Sequence, residues 1–267
     1  MINDHNLDKL IIAEMLPVHT YMCSGAGVLK KYLNRKYDDI EVVITEVVGN
    51  SSIFANGVAK KVKEELTGNI PGLPLTVAPI PINEKVAVFL VHHGMFATDY
   101  KLFDLGLLEP YNHSAKRNFK AAKKRIEKLF KKMGWSKDNY VVVQIYPEMS
   151  EGLLQDPFGE FYSVDEAMKK FVRPMKGCKH IINVPYEVGT TAYETLWHYR
   201  HPWELSVGGS DPYTEKYTDL SEYRNVGGME KFRSELMHDG MHVVITDGWI
   251  PDWDKALYKR IASCLKS

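Results

Sequence analysis

Apolar runs of strand type alternate with helical periodicities along the chain. Val86-Ala87-Val88-Phe89-Leu90-Val91 and Val141-Val142-Val143 are nearly unbroken apolar stretches, the pattern of strands covered on both faces. Strands are predicted over Glu41–Glu46, Leu75–Ala78, Lys85–His92, Tyr140–Tyr146, His180–Pro185 and His242–Thr246. Helical patterns cover Ala26–Leu33, Ser52–Leu66, Ser114–Lys132, Ser163–Phe171, Thr190–Tyr199, Met229–Leu236 and Asp252–Leu265. This alternation reads as an α/β fold, a three-layer Rossmann-like architecture with a largely parallel central sheet. With 267 residues, one large domain spanning the chain is the expectation.

One region breaks the rhythm. Between Pro202 and Gly228, Gly208-Gly209-Ser210-Asp211-Pro212 and Gly227-Gly228 bracket Tyr213, Tyr217 and Tyr223 with no periodicity. A polar, aromatic stretch of this length reads as an inserted functional loop or lid, against the plainer alternative of a surface excursion.

Charge changes the picture in one helix. From Ser114 to Met133 nine Lys or Arg residues stand against the single Glu127, a net of +8, so in a chain with 34 basic and 34 acidic residues the remainder carries −8. In the same helix Phe119, Ala122, Ile126, Leu129, Phe130 and Met133 recur at three- and four-residue spacing, giving one core-facing stripe with the basic residues fanning outward. Gly134 is placed to end it. A charge run is usually a solvated face. Like charges at i,i+4 repel, however, and a phosphate-rich partner turns that repulsion into salt-dependent affinity. Lys116, Lys120, Lys124 and Lys128 are therefore the candidate nucleic-acid contacts.

Candidate chemistry gathers where predicted strands lead into helices. Cys23-Ser24-Gly25-Ala26-Gly27, Gly49-Asn50-Ser51-Ser52 and Gly189-Thr190-Thr191 are rich in residues that let backbone amides at a helix start approach an anion. Gly25, Gly27, Ser51, Ser52, Gly189 and Thr190 are read as phosphate-binding, although each serine or threonine could equally be a plain N-cap. Neither a complete dinucleotide fingerprint nor a Gly-Lys-Ser/Thr phosphate loop occurs.

His92-His93-Gly94 leaves a buried strand, with Asp99 six residues after His93, and a histidine there can bind a ligand or move a proton near neutral pH. Glu187 follows Pro185-Tyr186, and Asp247 follows the last strand with Trp249 as a stacking surface. His93, Asp99, Glu187 and Asp247 are thus the catalytic candidates, against the alternatives of a structural histidine and a turn-forming aspartate.

His198, His201 and Glu204, and His238-Asp239 with His242, have metal-ligand residue types. Pro202 ends any helix before Glu204, so the first trio cannot share a helical face, and no protein-held metal is expected. Magnesium carried by a phosphorylated substrate remains open. Cys23, Cys178 and Cys264 lack paired spacing, and the acidic, polar first residues lack the basic and apolar regions of a secretion signal. No stretch is long enough to span a bilayer. A cytoplasmic protein is the expectation.

Together these features suggest a transferase that binds a nucleotide-type donor, such as a nucleotide sugar, without a tightly bound cofactor. It would pass a glycosyl or similar group to a nucleotide or nucleic-acid base docked on the basic helix. Two other readings stand beside it: hydrolysis of a small phosphorylated or N-glycosidic substrate, and a non-catalytic nucleic-acid-binding module.

Overall fold

The computed structural model describes residues 7–15, 21–69, 78–91, 111–145, 162, 164–185, 240–245 and 250–266. Its strands are β1 (Lys9–Ile12), β2 (Glu41–Ile44), β3 (Lys85–Val91), β4 (Tyr140–Ile145), β5 (Cys178–Pro185) and β6 (His242–Ile245). Its helices are α1 (Tyr21–Lys36), α2 (Ser52–Thr67), α3 (Tyr111–Lys132), α4 (Val164–Ala167) and α5 (Trp253–Lys266). A π-helical turn, Met168–Val172, extends α4, with Arg173 N donating to Met168 O at 2.9 Å.

Every described ladder is parallel, as the continuous apolar runs imply. β1 and β2 form a two-stranded sheet, and the other four strands form a second sheet in the order β4-β3-β5-β6. Within β3, alternate residues face opposite ways and enter two separate cores. Val86, Val88 and Leu90 pack with Phe54, Val58 and Val62 of α2, Ala122, Ile126 and Phe130 of α3, and Trp253 and Ala256 of α5. Ala87, Phe89 and Val91 face the other way and pack with Ala167, Met168 and Val172. That two-sided burial is why β3 reads as an unbroken apolar run.

The helix ends follow local chemistry. Ser51 caps α2, its hydroxyl accepting from Ile53 N at 3.1 Å, and Gly68 ends that helix in the left-handed conformation at φ 67°. α3 ends in a Schellman motif: Gly134 at φ 86° donates to Lys131 O, and Trp135 N donates to Phe130 O. The accompanying apolar contact is an edge-on packing of Trp135 against Phe130 with ring centres 5.1 Å apart.

Three sequence expectations need correction or extension. β1 is not among the predicted strands; with four residues it shows too little periodicity, and it is fixed instead by pairing in register with β2 and by the 2.9 Å Lys9–Glu41 ion pair. α1 begins at Tyr21, more than a turn before the predicted start at Ala26, so Gly25 and Gly27 lie within the helix. Ala78, the last residue of the predicted strand Leu75–Ala78, has no strand structure, and residues 75–77 lie outside the described residues. Also outside them are the predicted helices at 190–199 and 229–236 and the loop at 202–228.

Candidate functional site

Parallel strands carry all their carboxyl ends to one edge, and the strand order decides where that edge opens. After β3 the chain runs on to β4 on one side, and after β5 it runs on to β6 on the other. The two connections therefore diverge between β3 and β5, the crevice in which open α/β sheets hold ligands. Val91 pairs with Pro185, and Asn183 pairs with Ile245, so the ends of β3, β5 and β6 are successive neighbours.

The sequence candidates follow these strands closely along the chain. His93 comes two residues after Val91, Glu187 two after Pro185 and Asp247 two after Ile245. These three, with Asp99, Gly189, Thr190 and Trp249, fall outside the described residues.

Helix starts converge on the same edge. α3 follows β3, and its Arg117 donates from Nε to Asn50 Oδ1 at 3.3 Å, which fixes the residues before α2 beside the first turns of α3. α5 follows β6, and Trp253 at its start packs edge-on against Phe54 in the first turn of α2, with ring centres 5.3 Å apart. The amino ends of α2, α3 and α5 are therefore clustered, and their dipoles favour an anion there. Ser51 is buried and acts as the cap, whereas Ser52 is exposed at the helix start. Gly25 and Gly27 are not part of this cluster. They lie past the first turn of α1, where amides are committed to the helical ladder, so the Cys23–Gly27 segment is not a phosphate loop.

The basic helix divides its lysines in a way that spacing alone does not show. Lys116, Lys120 and Lys123, with Phe119 between them, face a cavity of about 480 Å³ along β4. Lys124 and Lys128 are exposed and do not line it. An α-helix advances about 100° per residue, so an i,i+4 series drifts round the helix and leaves the flank that its first members share. The opposite wall is Tyr162 and Phe171, whose rings meet edge-on at 5.0 Å. Lys170 Nζ sits 4.7 Å from the centre of the Tyr162 ring.

The floor of this cavity is β4 itself, from Val141 to Gln144. β4 is the edge strand of the four-stranded sheet among the described residues, and beyond it lies an isolated bridge from Ile145 to Tyr162. Gln144 is 3% exposed, yet its Nε2 has no hydrogen-bond partner among the described residues. Sequence reasoning did not single out Lys123 or Gln144; Phe119, which it assigned to the core stripe, does pack against the core and lines the cavity as well. The available signal was Gln144, one polar residue in the apolar run Val141-Val142-Val143-Gln144-Ile145.

At the opposite, amino-terminal edge, His180 Nε2 contacts Glu84, and His180 Nδ1 lies 3.3 Å from His242 Nδ1. The hydrogen bond with His180 holds the Glu84 carboxyl below the usual carboxylate range. His242 was considered with His238 and Asp239, but its described neighbour is His180, and those two partners lie outside the described residues. Among the described residues no group of three or more His, Cys, Asp or Glu could hold a metal ion. Among them also, no helix is long and apolar enough to cross a membrane.

No known family model matches the chain, and no curated protein is significantly similar to it.

Proposed function

We propose that the protein is a transferase of three-layer, doubly wound Rossmann-like architecture that binds a phosphorylated, nucleotide-type donor at the carboxyl edge between β3 and β5. The observation carrying this reading is the strand order β4-β3-β5-β6, which makes that edge diverge between two strands followed closely by His93 and Glu187. Clustered amino ends of α2, α3 and α5 support an anionic group there. In this reading Ser51, Ser52, Gly189 and Thr190 surround the phosphates, with Ser51 acting through the helix end it caps. His93, Asp99, Glu187 and Asp247 supply proton transfer, and Trp249 stacks on a ring of the ligand. The transferred group is a glycosyl or related unit, and the acceptor is a nucleotide or nucleic-acid base approaching along α3. Magnesium enters with the substrate phosphates.

The test is a thermal-shift screen of nucleotides, nucleotide sugars and dinucleotides, with and without magnesium. A ligand at one hundred times its dissociation constant stabilises the folded state by about 2.7 kcal/mol, visible in a chain of this length as a rise of roughly 5–10 °C. Glu187→Gln and His93→Ala are expected to abolish turnover of that ligand with the fold intact. Unchanged binding and turnover in both variants overturns the assignment. If short DNA or RNA shifts the transition while no small ligand does, a binding module replaces the enzyme.

A further inference from the structure

The cavity along β4 lies on the flank of the sheet, and the carboxyl-edge reading makes no use of it. Its walls differ in chemistry. On one side Phe119 lies between Lys116, Lys120 and Lys123, with Lys123 Nζ 5.6 Å from the Phe119 ring centre. On the other are the rings of Tyr162 and Phe171, held edge-on to each other. Gln144 lines the cavity as part of the β4 floor, and its buried Nε2 has no partner among the described residues. A buried donor without an acceptor is unfavourable, and such groups in native proteins are normally satisfied.

We propose that this cavity is a binding site for a nucleoside monophosphate. About 480 Å³ falls within the roughly 300–1,000 Å³ range of small-molecule sites. A flat base fits between Phe119 and the Tyr162–Phe171 wall and gains from stacking on aromatic faces. The base also carries what Gln144 lacks. A ring nitrogen or carbonyl accepts from the Gln144 amide, and an exocyclic amine can donate to its oxygen, the paired recognition that glutamine makes with adenine. The phosphate lies towards the lysines, where three ammonium groups on one helical flank supply charge. A phosphate alone would use the lysines and leave both the rings and the amide without a function. An acidic extended peptide lying along β4 would also use the lysines, but it offers no reason for the aromatic rings that line the cavity.

The site is independent of the carboxyl-edge reading, and the experiment separates them. Binding of AMP, GMP, CMP and UMP to the full chain is measured by calorimetry, with inorganic phosphate and an acidic peptide as controls. Binding of at least one nucleotide, tighter than inorganic phosphate by tenfold or more, is expected. Gln144→Met is expected to weaken it about tenfold, the scale of one hydrogen bond, while raising the unfolding temperature of the unliganded protein because the orphaned donor is gone. A merely structural role for Gln144 gives the opposite sign of thermal shift.

Lys120→Ala with Lys123→Ala, at the rim of the cavity, is expected to weaken binding and flatten its salt dependence, and serves even where the Gln144 variant folds poorly. Tighter binding of a short oligonucleotide than of any mononucleotide would identify the occupant as one nucleotide of a strand and uphold the site. Nucleotides binding no better than phosphate, or only the acidic peptide binding, overturns it. So does nucleotide binding that is lost in Glu187→Gln and unchanged in the Gln144 and lysine variants, an outcome that leaves the carboxyl-edge site standing.

Discussion

α2 and α3 lie on the same face of the sheet and pack against each other, yet α2 buries several of its charged residues and α3 does not. In α2 Lys61, Glu64 and Glu65 are buried, at 4%, 8% and 8% exposure, and only a narrow strip that includes Lys60 and Lys63 reaches solvent. In α3 the buried stripe is narrow, built on Ala122, Ile126 and Phe130, and Lys120, Lys124 and Lys128 reach solvent. Phe130 anchors that stripe by stacking on Tyr140 at 4.2 Å between ring centres. The number of charges on a helix therefore says less about its role than what surrounds them. Past its amino end α2 serves mainly to fill the core, whereas among the described residues one flank of α3 faces a cavity.

The sharpest way to break this contrast is at the more buried helix. Gly57 of α2 lies so close to the segment before α5 that an added Cβ would sit 2.1 Å from Pro251 O and 2.9 Å from Ile250 Cγ2. The nearer atom is backbone and cannot swing aside. Gly57→Ala gains nearly 1 kcal/mol of helix propensity. We nevertheless expect a net loss of about 2–3 kcal/mol, at the upper end of what overpacking costs. In thermal unfolding this is a fall of about 5–10 °C. A rise in the unfolding temperature would show that α2 is not held against α5 as described.

The matching glycine on α3 tests the opposite case. Gly134 has φ 86°, and an added Cβ meets nothing within 4 Å. Its requirement is purely conformational, since a side chain in the left-handed region costs roughly 1–2 kcal/mol. Gly134→Ala should therefore lower stability by about 1 kcal/mol, and Gly134→Asn by less, because asparagine tolerates that region. Equal losses for the two in chemical denaturation would mean that packing, not backbone conformation, decides the helix end.

The two helices also show what the sequence could convey. The parallel strands β2 to β6, the buried stripe of α3 and its terminating glycine are periodic or local signals, and they were legible to within a few residues, whereas β1 was not. The enclosure of Gly57 was not, because it depends on a contact with Pro251, 194 positions along the chain by subtraction of the residue numbers. Strand order was likewise beyond reach, although it determines that Val91 and Pro185 are neighbours. The phosphate loop assigned to Gly25 and Gly27 failed for a local reason: glycine before an apolar periodicity marks a turn in many chains, but here the helix continues through both residues. Lysines 116, 120, 124 and 128 were grouped by their i,i+4 spacing, and only the cavity divides them.

That division yields the smallest expected effect and the most specific one. Lys124 and Lys128 are exposed, four residues apart on one ridge, and repel each other by a few tenths of a kcal/mol in low salt. Replacing both with alanine should leave stability within about 0.5 kcal/mol, or raise it slightly at low ionic strength, as surface changes usually do. If the cavity is the place where α3 acts, nucleotide affinity in this variant should stay within about twofold of the parent chain at physiological salt, where such exposed charges are screened beyond about 8 Å. The Lys120 and Lys123 variant, with the same change in net charge, should lose it. Equal losses in the two variants would mean that α3 attracts anions through its total charge, and the distinction between its cavity-facing flank and its outer ridge would then have no functional content.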